Sequence, residues 1–205
     1  RPSATPVKVL VKTVAVTATS GADYVAINDT ITIPAPQTTF LDTVFIKEDN
    51  RYEDSIETFN VVLDTAWGAL DPNGKSIVIG IRDDELVPTL SITDVTTLEP
   101  AVYGNKATAH FLVTLSGPSE RVITVDWATD TARAAAYGAT STLDYLATSS
   151  ALTFAADQLK DSIDILVLGD SLDEYDETYL VRLSNATVAT IAKDTGIGVI
   201  TDNDT

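Results

Sequence analysis

Glu177-Thr178-Tyr179-Leu180-Val181-Arg182-Leu183 repeats, in kind and order, Glu57-Thr58-Phe59-Asn60-Val61-Val62-Leu63. In each copy an acid leads a run in which an aromatic, a valine and a leucine alternate with other side chains. That is the period-two pattern of a strand with one face in a core. The match extends outward. Asp23-Tyr24 followed by Ile31-Thr32-Ile33 returns as Asp144-Tyr145 followed by Leu152-Thr153-Phe154, and Asp42-Thr43-Val44-Phe45-Ile46 returns as Asp161-Ser162-Ile163-Asp164-Ile165. Ile81-Arg82-Asp83-Asp84-Glu85 returns as Ile200-Thr201-Asp202-Asn203-Asp204, and the offset stays at 119 to 121 residues throughout. Four blocks in one order mark an internal repeat. The spacing divides the chain into a first module over 1–86 and a second over 87–205.

Alternation dominates elsewhere, as in Val7-Lys8-Val9, Ile77-Val78-Ile79 and Phe111-Leu112-Val113, with Gly, Pro, Asn and Asp between the runs. Asn73-Gly74 reads as a hairpin turn, and only Ala132–Tyr137 could make a helical turn. The class is all-β, and a two-layer sandwich is the economical way to bury such strands. Pro88–Arg121 adds two runs, Leu90–Ile92 and Ala107–Leu115, that nothing ahead of Arg1 matches. The first module is therefore expected to lack its opening strands. The strands that remain, beginning with Val7–Val16, are expected to leave an unpaired sheet edge and an uncovered apolar face. Residues upstream, or a strand exchanged with another copy, would complete them. The chain opens Arg1-Pro2-Ser3, contains no Met and shows no apolar leader, so it reads as a piece of a longer protein.

Composition narrows the chemistry. Without cysteine there are no disulfides, thiol nucleophiles or thiolate metal sites. The single histidine, His110, lies opposite Phe111 and Val113 and reads as an exposed strand residue with no nucleophile-elbow pattern beside it. A formal net charge of −17 repels nucleic acid and anionic membranes, and no apolar run approaches the ~20 residues of a membrane helix. Of the 30 acids, 22 are Asp, the residue of turns and loops. Five of them crowd into Asp170-Ser171-Leu172-Asp173-Glu174-Tyr175-Asp176-Glu177, with no Lys or Arg inside. Glu48-Asp49-Asn50-Arg51-Tyr52-Glu53-Asp54-Ser55-Ile56-Glu57 is its counterpart, and each acidic loop is followed by a terminal acidic run. In a sandwich, alternate loops gather at one end, where several carboxylates can converge on one hard cation. The spacing is neither that of an EF-hand nor of a calcium β-roll. Magnesium is a poorer fit, because it dehydrates reluctantly.

Together these blocks resemble the Calx-beta family: an Asp-Tyr pair, a Thr-Leu-Thr-Phe-like strand, an acidic loop running into Glu-x-Phe, and a closing acidic run. The resemblance implies two immunoglobulin-like antiparallel β-sandwich modules in tandem. It implies Ca²⁺ ligands at Glu99, Asp144, Asp170, Glu174, Glu177, Asp202 and Asp204, and in the first module at Asp23, Asp49, Asp54, Glu57, Asp83 and Asp84. Gly169 stands where the family often has another Asp, Asn203 replaces a terminal Asp, and the first module has no match for Glu99. The function expected is a non-enzymatic structural or adhesive repeat of a cell-surface or secreted protein, with neighbouring repeats as partners and Ca²⁺ stiffening module ends and junctions. The alternatives are a regulatory calcium sensor of a membrane transporter, and a glycosidase using paired carboxylates. The glycosidase would need an aromatic-lined cleft that Trp67 and Trp127, in or beside strand runs, do not announce.

Overall fold

The computed structural model describes residues 2–53, 56–68, 75–131 and 137–204. These form two compact units, Arg1–Asp49 with Asp54–Asp84, and Asn50–Glu53 with Glu85–Thr205. Asn73-Gly74 lies outside the described residues, as does all of Ala132–Tyr137 except Tyr137.

Unit 1 has one antiparallel sheet among its described residues. Its strands are β1 (Val7–Ala15), β2 (Asn28–Ile33), β3 (Glu57–Trp67) and β4 (Lys75–Ile81), in the order β2-β1-β3-β4. The expectation of an edge at Val7–Val16 is corrected here. β1 is central, paired with β2 from Val7 to Lys12 and with β3 as far as Ala15. What stands open is a face. Tyr24 stacks on Phe59 at 4.1 Å and 13°, and Ala18 is buried with them. Val44, Val61, Ile79 and Ile81 pack against this small core but are only partly buried.

Unit 2 has two sheets among its described residues. Its strands are β5 (Thr89–Ile92), β6 (Val95–Leu98), β7 (Lys106–Leu115), β8 (Ile123–Thr131), β9 (Ser149–Phe154), β10 (Lys160–Leu168), β11 (Glu177–Ser184), β12 (Thr190–Lys193) and β13 (Thr195–Thr201). One sheet runs β10-β7-β5-β12 and the other β6-β13-β11-β8-β9. Alternate residues of both meet in one core, with Phe111, Val113, Val125, Ile163, Ile165, Tyr179 and Val181 fully buried. Burial of side chains of this size is the main stabilising contribution, at ~1.5–3 kcal/mol each. His110, on the other face of β7, is exposed as expected and meets Asp164 at 2.7 Å. Trp127 packs against the core, while Trp67 is half exposed at the end of β3.

The chain changes sheet between β5 and β6 and again between β12 and β13. β5 pairs in parallel with β12, and β6 in parallel with β13. Asp94 sits at the crossing. Its Oδ1 accepts hydrogen bonds from Lys193 Nζ at 2.7 Å and from Ile197 N at 2.9 Å. These two donors, Lys193 first, hold its carboxyl below the usual aspartate range. β6 is not legible as a separate run, because it is only four residues long and its partner β13 is distant in the chain.

Gly198 of β13 lies under the Tyr179 ring, where an added Cβ would come within 2.4 Å of it. Gly198→Ala should therefore lower the stability of unit 2 by ~1–3 kcal/mol, the usual cost of overpacking a filled core. Urea unfolding followed by tyrosine fluorescence would measure it, and an unchanged midpoint would mean that the ring is not held there.

Candidate metal centre

The core aromatics fix the acids beside them. Tyr145 stacks on Tyr179 at 4.6 Å, and Phe111 meets Tyr179 edge-on at 5.9 Å. Asp144 precedes Tyr145, and Glu177 opens β11 two residues before Tyr179, so the stack carries both carboxylates to the same end of the sandwich. The chain around Asp144 is a tight loop. Its carboxylate accepts the Thr140 N–H, its own N–H donates to Thr140 O at 3.0 Å, and its carbonyl accepts from Leu168 N at 2.9 Å.

Glu99 follows β6 and is 7% exposed. The Asp170 N–H donates to Glu99 Oε1 at 3.0 Å, and Asn203 Nδ2 donates to the Glu99 carbonyl at 2.8 Å. Asp202 and Asp204 arrive on the segment after β13. Glu174 N donates to Asp202 Oδ2 at 3.3 Å, and Asp202 N to Asp176 Oδ1 at 3.2 Å. The acidic loop and the terminal run are thus tied together by main-chain donors.

The result is two groups of three. Glu99, Asp202 and Asp204 each offer a carboxylate oxygen within 4.8 Å of the others, and so do Asp144, Glu174 and Glu177. Asp170 joins the first group by its N–H bond to Glu99, and the bond from Glu174 N to Asp202 ties the two groups together. The groups feel one another: Glu174 is raised by its partial burial and then by Asp144, Asp170 and Asp202. Glu99 is raised by burial, against the Asp170 hydrogen bond, and then by Asp170, Asp202 and Glu174. Glu177 is pushed up to about 8, first by burial, then by its hydrogen bond with Asp144 and the charges of Asp144, Glu174 and Glu99. None of the seven acids pairs with a lysine or arginine among the described residues. Asp204 Oδ2 is buried and has no hydrogen-bond partner.

This donor set fits a hard divalent cation. Oxygens that share one Ca²⁺ at about 2.3–2.6 Å lie no more than about 5 Å apart, and each group meets that limit. The set is all oxygen, which excludes soft-metal chemistry. Seven carboxylates in one place exceed what Mg²⁺ usually takes from protein.

The seven acids expected in unit 2 all fall at this end. In unit 1 the structure brings Asp23 and Glu57 together, both nearly buried, with carboxylate oxygens within 4.8 Å. Asp23 repeats the local geometry of Asp144, accepting the Thr19 N–H. Asp49, Asp83 and Asp84 join no group of three acids among the described residues, and Asp54 lies outside those residues. Asp176, whose carboxylate receives the Asp202 N–H, stood unassigned inside the acidic run. The two departures from the family pattern within unit 2 have physical causes. A Cβ at Gly169 would lie 1.9 Å from Pro100 O, so no Asp fits there. Asn203 supplies an N–H₂ donor to the Glu99 carbonyl, which an Asp could not.

A Calx-beta domain profile matches the chain at residues 3–85 and 91–204. Among solved structures it is similar to the apo-form Calx CBD1 domain, at 18% identity and a TM-score of 0.49, covering 58% of this chain and 100% of that one. It is also similar to CBD12 from CALX1.2, at 15% identity and 0.44, covering 98% and 89%. Red sea bream transglutaminase follows at 14% and 0.36, covering 98% of this chain and 27% of that one. No curated protein matches.

The raised carboxyls set a pH dependence. Glu177 keeps its proton in the folded chain to a higher pH than in the unfolded one. Its contribution to stability is full below 4.5 and is lost as pH rises through about 8. Glu99 and Glu174 act in the same direction. In chelator, the melting temperature of unit 2 should fall across that window, and Glu177→Gln should flatten the fall. Calorimetric scans at stepped pH would show it; a melting temperature that rises across the window would contradict the site's electrostatics.

Proposed function

Because the chain belongs to the Calx-beta domain family, we propose that it is a non-catalytic calcium-binding repeat that stiffens a cell-surface or secreted protein, with neighbouring repeats as its partners. One observation carries the reading. Glu99, Asp144, Asp170, Glu174, Glu177, Asp202 and Asp204 are gathered at one end of unit 2, and among the described residues no lysine or arginine pairs with them. A fold that holds these groups together at neutral pH stores repulsion that a divalent cation relieves. Glu99, Asp202 and Asp204 would hold one part of the cation load, and Asp144, Glu174 and Glu177 the other. The cation supplies charge neutralisation and a crosslink between the loop after β10, the segment after β13 and the Asp144 turn. Asp23 and Glu57 would offer a smaller site in unit 1. The −17 net charge, concentrated in Asp, supports a setting where free calcium is abundant.

Ca²⁺ at about 100-fold over Kd should stabilise unit 2 by about 2.7 kcal/mol, or about 10 °C in melting temperature. Glu174→Gln with Glu177→Gln should cut the shift to the part carried by Glu99, Asp202 and Asp204, and Mg²⁺ at the same concentration should give a smaller shift than Ca²⁺. Calorimetric titration then separates a structural repeat from a sensor. A Kd of ~10⁻⁴–10⁻³ M fits the structural reading, and one of ~10⁻⁷–10⁻⁵ M would replace it with regulatory sensing.

A further inference from the structure

The internal repeat makes unit 2 a reference for unit 1. β1, β2 and β3 have the strand pairings of β8, β9 and β11. Lys8 lies opposite Trp67 and Thr32, and Leu10 opposite Thr30. Thr124 lies opposite Thr153, and Asp126 opposite Ala151. Lys8, Thr30 and Trp67 therefore stand where unit 2 has Thr124, Ala151 and Thr187.

In unit 2 this position is closed. The Thr124 and Thr187 hydroxyls are 2.8 Å apart, Thr124 N donates to Thr187 Oγ1 at 3.0 Å, and Thr187 N donates to Thr124 O at 2.9 Å. In unit 1 the surface is recessed instead. The recess has a volume of about 470 Å³ and is lined, among the described residues, by Lys8, Thr30 and Trp67. It lies on the sheet face turned away from Phe59 and Val61, because Lys8 and Lys12 alternate with Val9, Val11 and Thr13. A register shift between Val9 and Val11 gives β3 one extra residue, and this bulge sets Trp67 opposite Lys8. Trp67 is 50% exposed. Lys12, on the same face, is held by Asp64 at 2.6 Å, whereas Lys8 meets no carboxylate among the described residues.

We propose that the recess of Lys8, Thr30 and Trp67 binds a carboxylated pyranose, the uronic acid residue of an acidic glycan. The indole takes the C–H face of the sugar ring, the Lys8 ammonium takes the carboxylate by a charge-assisted hydrogen bond, and the Thr30 hydroxyl takes a ring hydroxyl. The class follows from the lining. One flat apolar surface beside one cation and one hydroxyl matches a ring that is apolar on its face and polar at its rim. The volume lies in the ~300–1,000 Å³ range of small-molecule sites. A single lysine on a chain of net charge −17 disfavours dense polyanions such as nucleic acid, so the carboxylates are spaced one to a sugar or wider. No carboxylate lines the recess among the described residues, so it holds the sugar without hydrolysing it. The inference does not rest on calcium.

The test uses the full chain and a tetrasaccharide of alternating glucuronate and N-acetylglucosamine, followed by NMR through the indole N–H signals of the two tryptophans. The Trp67 signal should shift saturably, in chelator as in Ca²⁺, while that of Trp127 stays in place. Reducing the sugar carboxyls to alcohols, or Lys8→Gln, should weaken binding about tenfold, as expected for one lost charge-assisted bond. Lys8→Thr with Trp67→Thr installs the pair that unit 2 carries. It should keep the unfolding midpoint of unit 1 and abolish binding in calorimetry. The proposal is overturned if the Trp67 signal does not move, if both indole signals move alike, or if the carboxyl-reduced sugar binds as tightly. It is also overturned if the double variant still binds, or if binding appears only with Ca²⁺. A failure in chelator leaves the calcium reading standing, because that reading is decided by the calcium titration alone.

Discussion

The stack of Tyr145 on Tyr179 is the constraint from which the rest follows. Both rings lie in the centre of unit 2, where Phe111 closes on Tyr179 from the opposite sheet and Gly198 leaves room beneath it. Each ring is joined through one or two residues to an acid, Asp144 or Glu177. A core that holds the rings therefore holds the acids too. Apolar burial of this size outweighs the repulsion it imposes, because each buried side chain contributes ~1.5–3 kcal/mol, while Glu177, pushed up to about 8, keeps its proton at neutral pH. The raised Glu177 is the visible sign of that compromise. Unit 1 repeats the device with Tyr24 on Phe59, Asp23 and Glu57.

The geometry also explains why the ligands come from so many parts of the chain. Sheet changes at Asp94 and near Asp194 bring β6 and β13 side by side in parallel. Glu99, at the end of β6, and Asp202, just past the end of β13, therefore emerge together. Without the switch the opening strand would stay in the other sheet, and Glu99 would not reach the terminal acids. Asp94, with Lys193 and the Ile197 N–H, is thus remote from the centre and yet positions half of it.

Much of this was legible in the sequence because it is local. Period-two runs such as Ile163-Asp164-Ile165 and the repeat of Asp-Tyr and Glu-x-aromatic blocks depend on neighbours along the chain. The seven acids of unit 2 could be named from the family pattern alone. What could not be read depends on distant contacts. The short β6 exists because β13 pairs with it. Gly169 is a glycine because Pro100 comes close to it, and Asn203 is an amide because the Glu99 carbonyl needs a donor. β1 looked like an edge because no counterpart of the second module's opening strands precedes it, whereas both of its partners, β2 and β3, come later in the chain. The segment at Asp42–Ile46 has the sequence of β10 but, among the described residues, forms no ladder with a neighbouring strand of the kind β7 gives β10.

The most direct test of the central claim is a map of backbone amide shifts during a calcium titration of the intact chain. The account predicts saturable changes centred on Glu99, the Thr140–Asp144 turn, Asp170–Glu177 and Asp202–Asp204, with the amides of β7 and β10 away from that end unmoved. No change at millimolar Ca²⁺, or weak unsaturable changes scattered over exposed acids such as Asp126, Asp157 and Asp164, would contradict it.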